Sequence, residues 1–160
     1  MLNQVYRDED VSLDVLKGKT VAVLGYGIQG GPQALCLRDS GIDVIVGAGP
    51  RDRFPDWDDA VEDGFDVYTI DEATRRADVI HMLLADPAQP TVYREFIHKN
   101  LEPNNTLSFA HGFNVLYGAI QPPPDVNVVL FVPNGPGHLV REKFLAGSGI
   151  YGAVAVDQDV

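Results

Sequence analysis

Gly25-Tyr26-Gly27-Ile28-Gln29-Gly30 is the stretch of this chain whose residue types and spacing point most directly to chemistry. It follows the β-branched, apolar run Thr20-Val21-Ala22-Val23-Leu24 and precedes a helical pattern over residues 30–40. Strand, glycine turn and helix in that order are the context in which G-x-G-x-x-G holds a dinucleotide. Gly25 permits the tight turn, Gly27 lets the backbone approach a pyrophosphate, and Gly30 lets helix and strand pack closely. The helix start adds free N–H donors and the positive end of its dipole to the phosphates. Further candidates leave the ends of other strands: Arg51, Arg53 and Asp56; then Asp86, Pro87, Ala88 and Gln89; then His111 and Asn114; then Gly137 and His138. An imidazole on such a rim can serve as acid, base or hydrogen-bond donor near neutral pH.

These residues need strands to carry them. Apolar runs predict strands at 20–24, 42–46, 66–69, 78–84, 106–110 and 126–132, with a last apolar segment at 150–156. Helical patterns lie between them at 30–40, 57–63, 70–77 and 91–99, with Val92, Phe96 and Tyr93 offered to the sheet. A short helical turn is expected from Leu13, and Pro122-Pro123-Pro124 is a rigid connector. Alternating strands and helices predict one α/β domain over residues 1–160: a Rossmann-type, doubly wound, mostly parallel sheet with helices on both faces. Ligands of such sheets bind beyond the carboxyl ends of the strands, which is where the candidates collect.

The chain of 160 residues carries a net charge of −11. That field repels nucleic acid and anionic membrane, and no apolar run reaches spanning length. The acidic first 15 residues are unlike a signal peptide, and the single Cys36 cannot close an intrachain disulfide; both suit a cytoplasmic setting. No Cys/His pair has zinc-ligand spacing, and Asp58-Asp59 suits a helix start better than a metal. His81 reads as a core or interface residue, His98 as solvated and His138 as structural. Strand two ends in Val46-Gly47-Ala48, without the acid that commonly binds the ribose of NAD. Arg51 and Arg53 follow it, which leans toward NADP(H); Asp52 and Asp56 in the same loop keep NAD(H) open.

Several strings together resemble ketol-acid reductoisomerase, also called acetohydroxyacid isomeroreductase. They are the glycine turn, Asp39-Ser40-Gly41, Asp63-Gly64-Phe65, Phe109-Ala110-His111-Gly112-Phe113-Asn114 and Gly135-Pro136-Gly137-His138-Leu139-Val140-Arg141. The resemblance runs from Lys17 to Gln158. It implies an NADPH-binding domain with Tyr26, Gly27, Ile28 and Gln29 on the cofactor phosphates, the Gly47–Asp56 loop at the adenosine ribose, residues 86–89 along the cofactor, Gly137 near its nicotinamide end and His111 as the catalytic residue. It also implies a 2-acetohydroxy acid substrate, which undergoes alkyl migration and then reduction, in branched-chain amino acid biosynthesis. The family's two Mg²⁺ ions are held by a helical domain, and the metal ligands of that domain are expected to be missing here, so isolated residues 1–160 should lack reductoisomerase activity. Four positions depart from the family pattern: Ile28 replaces Ser, Gly31 replaces His, Asn134 replaces Lys, and Asp56 stands where NADP-using members often have Ser. The alternative to a cofactor domain is a non-catalytic module that senses NAD(P) or docks a partner carrying the helical part; an enzyme acting on another 2-keto acid is a third reading.

Overall fold

A computed structural model describes residues 4–51 and 56–160. Seven strands form one sheet in the order β3-β2-β1-β4-β5-β6-β7. They are β1 (Thr20–Leu24), β2 (Asp43–Ala48), β3 (Val67–Thr69), β4 (Val79–Met82), β5 (Thr106–Phe109), β6 (Asn127–Pro133) and β7 (Gly152–Gln158). The first six run parallel, with the order reversing between β1 and β4. That is the doubly wound Rossmann arrangement, whose ligand crevice opens at the reversal.

Strand alternation sorts the core into two layers. Ala22, Leu24, Ile80, Met82, Leu107 and Phe109 face one side, under α3 (Ile70–Arg76) and the helical rod beginning with α4 (Gln89–Val92). Val23 and Val46 face the other, packed with Ala34 of α1 (Gly30–Asp39) and Ala60 of α2 (Asp56–Glu62). Parallel strands covered on both faces read as continuous apolar runs, which is why they are plain in the sequence.

Three features differ from the sequence expectation. After α4 the rod continues as a π-helical turn over Tyr93–Ile97 and a 3₁₀ turn over His98–Asn100. The wider π turn shifts the helical phase, so Tyr93 and Ile97 are buried while Phe96 turns outward to the rim. Burial pushes the Tyr93 hydroxyl up to about 12. Two helices had no sequence signal strong enough to separate them from loops: α5 (Phe113–Leu116) and α6 (Gly137–Leu145). Last, β7 pairs antiparallel with β6. After α6 the chain returns to the same end of β6, where the Asn134 N–H donates to the Tyr151 carbonyl at 2.8 Å, so β7 can only run back. Residues 152–157 of β7 are all exposed.

Candidate functional site

The glycine turn is built by close backbone approaches. Gly25 has φ +91°, and its N–H donates to the Gly47 carbonyl at 2.9 Å, tying the turn to β2. A Cβ on Gly30 would lie 1.9 Å from the Gly25 carbonyl oxygen, so only glycine lets α1 start there. Gly27 faces open space. Among the described residues, the N–H groups of Gly27, Ile28 and Gln29 have no acceptor, and they stand at the N-terminus of the ten-residue α1. Unpaired N–H groups at a helix start are suited to an anion.

Tyr26 enters the site through its backbone only. Its N–H donates to the Asp56 carboxylate at 3.2 Å, while the ring is buried edge-on against Phe65 and the hydroxyl donates to Asp63 at 2.7 Å. Burial and the Asp63 carboxylate hold that hydroxyl well above the usual tyrosine range. Asp63 belongs to a segment of the resemblance and serves as scaffolding, as does Asp39, which accepts from Arg141 of α6 at 2.6 Å.

From the turn a groove of about 750 Å³ runs along the rim. Its walls are apolar (Met82, Leu83, Leu84, Val92, Phe96), and its ends are marked by Gly27, Asp56 and Gly49 on one side and by Asp86, His111 and Pro133 on the other. The volume suits a ligand site for a cofactor-sized molecule. No Lys or Arg among the described residues lines it. Arg51 turns aside to Asp58, with contacts at 2.8 and 2.5 Å, and Arg53 and Asp52 lie outside the described residues. Among the described residues, the turn therefore offers amides and a helix end, and the carboxylate of Asp56 stands beside them.

At the far end His111 Nδ1 sits 2.7 Å from the Asp86 carboxylate, and its ring stacks on Phe113. The carboxylate holds Nδ1 and leaves Nε2 free, the arrangement that fixes an imidazole for proton transfer. Buried residues underpin this pair. Gln89 donates to the Leu84 carbonyl at 2.8 Å and to Asp86 at 3.3 Å, and Asn114 donates to the Asp86 carbonyl at 3.0 Å and to Gln89 Oε1 at 2.9 Å. Of the 86–89 loop, Asp86, Ala88 and Gln89 reach the groove, and Pro87 is exposed beside it.

Gly137 stands at the start of α6. It is buried against the glycine turn, where an added Cβ would lie 1.8 Å from the Ile28 carbonyl oxygen. It packs α6 onto the turn and does not line the groove. The sequence reading missed Leu84, Phe96 and Pro133 as groove walls, and apolar residues carry no signal for that role.

A family model described as "Acetohydroxy acid isomeroreductase, NADPH-binding domain" matches residues 15–160. The chain belongs to the acetohydroxy acid isomeroreductase family. It is 53% identical over 156 residues to "Ketol-acid reductoisomerase (NADP(+))" of Methanopyrus kandleri and 56% identical to the protein of that name from Pyrobaculum calidifontis. Each alignment covers 98% of this chain and 47% of the relative, so the chain spans about half the length of the curated relatives it matches. The solved structure of an NADH-preferring ketol-acid reductoisomerase from an uncultured archaeon superposes with a TM-score of 0.95 at 44% identity, over 98% of this chain and 48% of that one. The part of the isomeroreductase present here is thus the NADPH-binding domain, and its open amides, glycine cradle and rim groove fit that cofactor. Among the described residues no group of three or more His, Cys, Asp or Glu side chains could hold a metal ion. They do not fit the family's magnesium, and no step here runs through it.

Proposed function

We propose that this chain is the cofactor half of a ketol-acid reductoisomerase. It lays NADP(H) along the rim groove with the diphosphate on the amides of Gly27, Ile28 and Gln29. The observation that carries the reading is those unpaired amides at the start of α1, opening into a groove that ends at the Asp86–His111 pair. NADPH supplies a hydride when bound. The chain's own residues bind it along the apolar wall, exclude water from that wall, and offer His111 Nε2 as a proton acceptor, the ring being oriented by its Nδ1–H on Asp86. The substrate is a 2-acetohydroxy acid of branched-chain amino acid biosynthesis. The metal-binding helical part covers the bare strand β7, with its exposed Val154 and Val156, and Phe131 of β6 beside it. A cytoplasmic protein accords with the lone, half-buried Cys36 and with the absence, among the described residues, of any helix long and apolar enough to cross a membrane.

Asp56 favours NADH as a second ligand, because a carboxylate at the ribose end repels a 2′-phosphate. Calorimetric titration with NADPH and NADH in parallel tests both. Binding of NADPH to the 160-residue chain, without turnover of 2-acetolactate in the presence of Mg²⁺, is the expected result. Absence of binding by either dinucleotide, or turnover by this chain alone, refutes the reading.

A further inference from the structure

The core beneath the glycine turn holds a polar chain where an aliphatic pair would pack. The register pairs Val23 of β1 with His81 of β4, and alternation points both toward α1. There His81, 5% exposed, has Nε2 2.9 Å from Oε1 of Gln33, itself 6% exposed. Gln33 Nε2 donates to Gln29 Oε1 at 3.0 Å, and Gln29 Nε2 donates to the Gly135 carbonyl at 3.0 Å.

Only one proton arrangement satisfies this series. The Gly135 carbonyl can only accept, so the Gln29 amide must present its nitrogen there and its oxygen to Gln33. Gln33 must then present its nitrogen to Gln29 and its oxygen to the imidazole. Within this series His81 therefore carries its proton on Nε2, and Nδ1 makes no hydrogen bond, the Ser108 backbone favouring only the charged ring. Burying an imidazole with one nitrogen unsatisfied costs stability that a Leu or Met would not. The cost is offset by what the series joins: a strand of the core, the first turns of α1, and a loop 106 residues further along the chain. The same loop is pressed onto the turn at Gly137.

We infer that His81 and Gln33 are positioning residues of the dinucleotide site: the relay His81–Gln33–Gln29–Gly135 locks the Gln29 side chain to the β6–α6 loop and so holds the amides of residues 27–29 in their anion-binding geometry. This rests on the reading of the turn as the cofactor site. Gln29 is thereby a clamp, and its contribution to the phosphates is its N–H. Neither His81 nor Gln33 touches the groove.

The test uses the 160-residue chain with His81→Leu, His81→Gln and Gln33→Met. The glutamine variant offers a donor nitrogen near the place of the imidazole Nε2, and Gln33→Met removes both links at nearly constant volume. Three readouts are taken: NADPH affinity by calorimetry, affinity for adenosine 2′-monophosphate, which lacks the diphosphate, and nitrogen-detected NMR of the His81 ring and of the Gln29 side-chain amide. The expected result is an Nε2–H tautomer in the wild type and a slowly exchanging Gln29 amide. His81→Leu and Gln33→Met should free that amide and weaken NADPH about tenfold, the worth of roughly one hydrogen bond's orientation, with His81→Gln restoring most of it. Adenosine 2′-monophosphate should change by less than about twofold. An Nδ1–H tautomer overturns the inference, as does unchanged NADPH affinity in both disrupting variants or equal weakening of both ligands, which marks a merely structural role. If the wild type binds no dinucleotide, the cofactor reading itself falls. The relay is then decided by the tautomer and by whether the Gln29 amide is released.

Discussion

Acidification should expose His81 as the titrating group that matters most to the stability of the fold. Burial lowers its pKa from 6.5 to about 4: the loss of hydration by a charged imidazole under α1 outweighs the Ser108 backbone, which favours the charged ring. The folded state therefore holds His81 neutral where the unfolded chain already takes up a proton. The stabilisation is complete above pH 6.5 and is lost as pH falls toward about 4. A fall from 6.5 to about 4 corresponds to about 3 kcal/mol, of which about 2–3 kcal/mol is already lost at about pH 4.5. Comparing wild type with His81→Gln isolates this contribution, since exposed acids such as Asp39 and Glu72, held low by their arginine partners, lose stability equally in both. Urea unfolding at pH 7.5 and 4.5 is the assay. Between those two conditions the wild type should lose about 2–3 kcal/mol more than His81→Gln, or roughly 5–10 °C in melting temperature. Parallel losses in the two proteins would show that the ring is charged or hydrated in the fold, and the reasoning from burial would be wrong.

Gly30→Ala places a methyl group 1.9 Å from the Gly25 carbonyl, so the turn must open; thermal unfolding should show a cost of about 1–3 kcal/mol, and calorimetry at least a tenfold loss of NADPH affinity. Asp56→Asn keeps an acceptor for the Tyr26 N–H and removes the charge beside the ribose end of the groove. It should raise NADPH affinity relative to NADH about fivefold, roughly 1 kcal/mol, with the gain fading as salt is added; an unchanged ratio means that Asp56 does not face the 2′ position. Asp86→Ala removes the partner of His111 Nδ1, and nitrogen NMR should then find both ring tautomers in place of one.

How much of this was legible in the sequence follows from how local each feature is. The glycine turn could be read because its strand, its stereochemical demand at Gly25 and its helix are contiguous. The parallel strands could be read because burial on both faces leaves their interiors apolar, with His81 and Ser108 as the buried polar residues in them. The packing of Gly137 was not legible, because the atom it must avoid, the Ile28 carbonyl oxygen, is more than a hundred residues away in sequence. The direction of β7 depends on where α6 delivers the chain, which no local pattern encodes. The relay is the instructive intermediate case. Its parts were visible: a histidine among aliphatics in β4, and glutamines four apart, hence on one face of α1. Strand alternation even decides which face His81 must take, because Ile80 and Met82 belong to the layer under α3. The missing quantity was the register that sets His81 beside Val23 and beneath α1. A polar residue inside a two-sided apolar strand thus marks a point where the sheet gives up packing for an attachment. In this fold that attachment lies directly under the glycine turn.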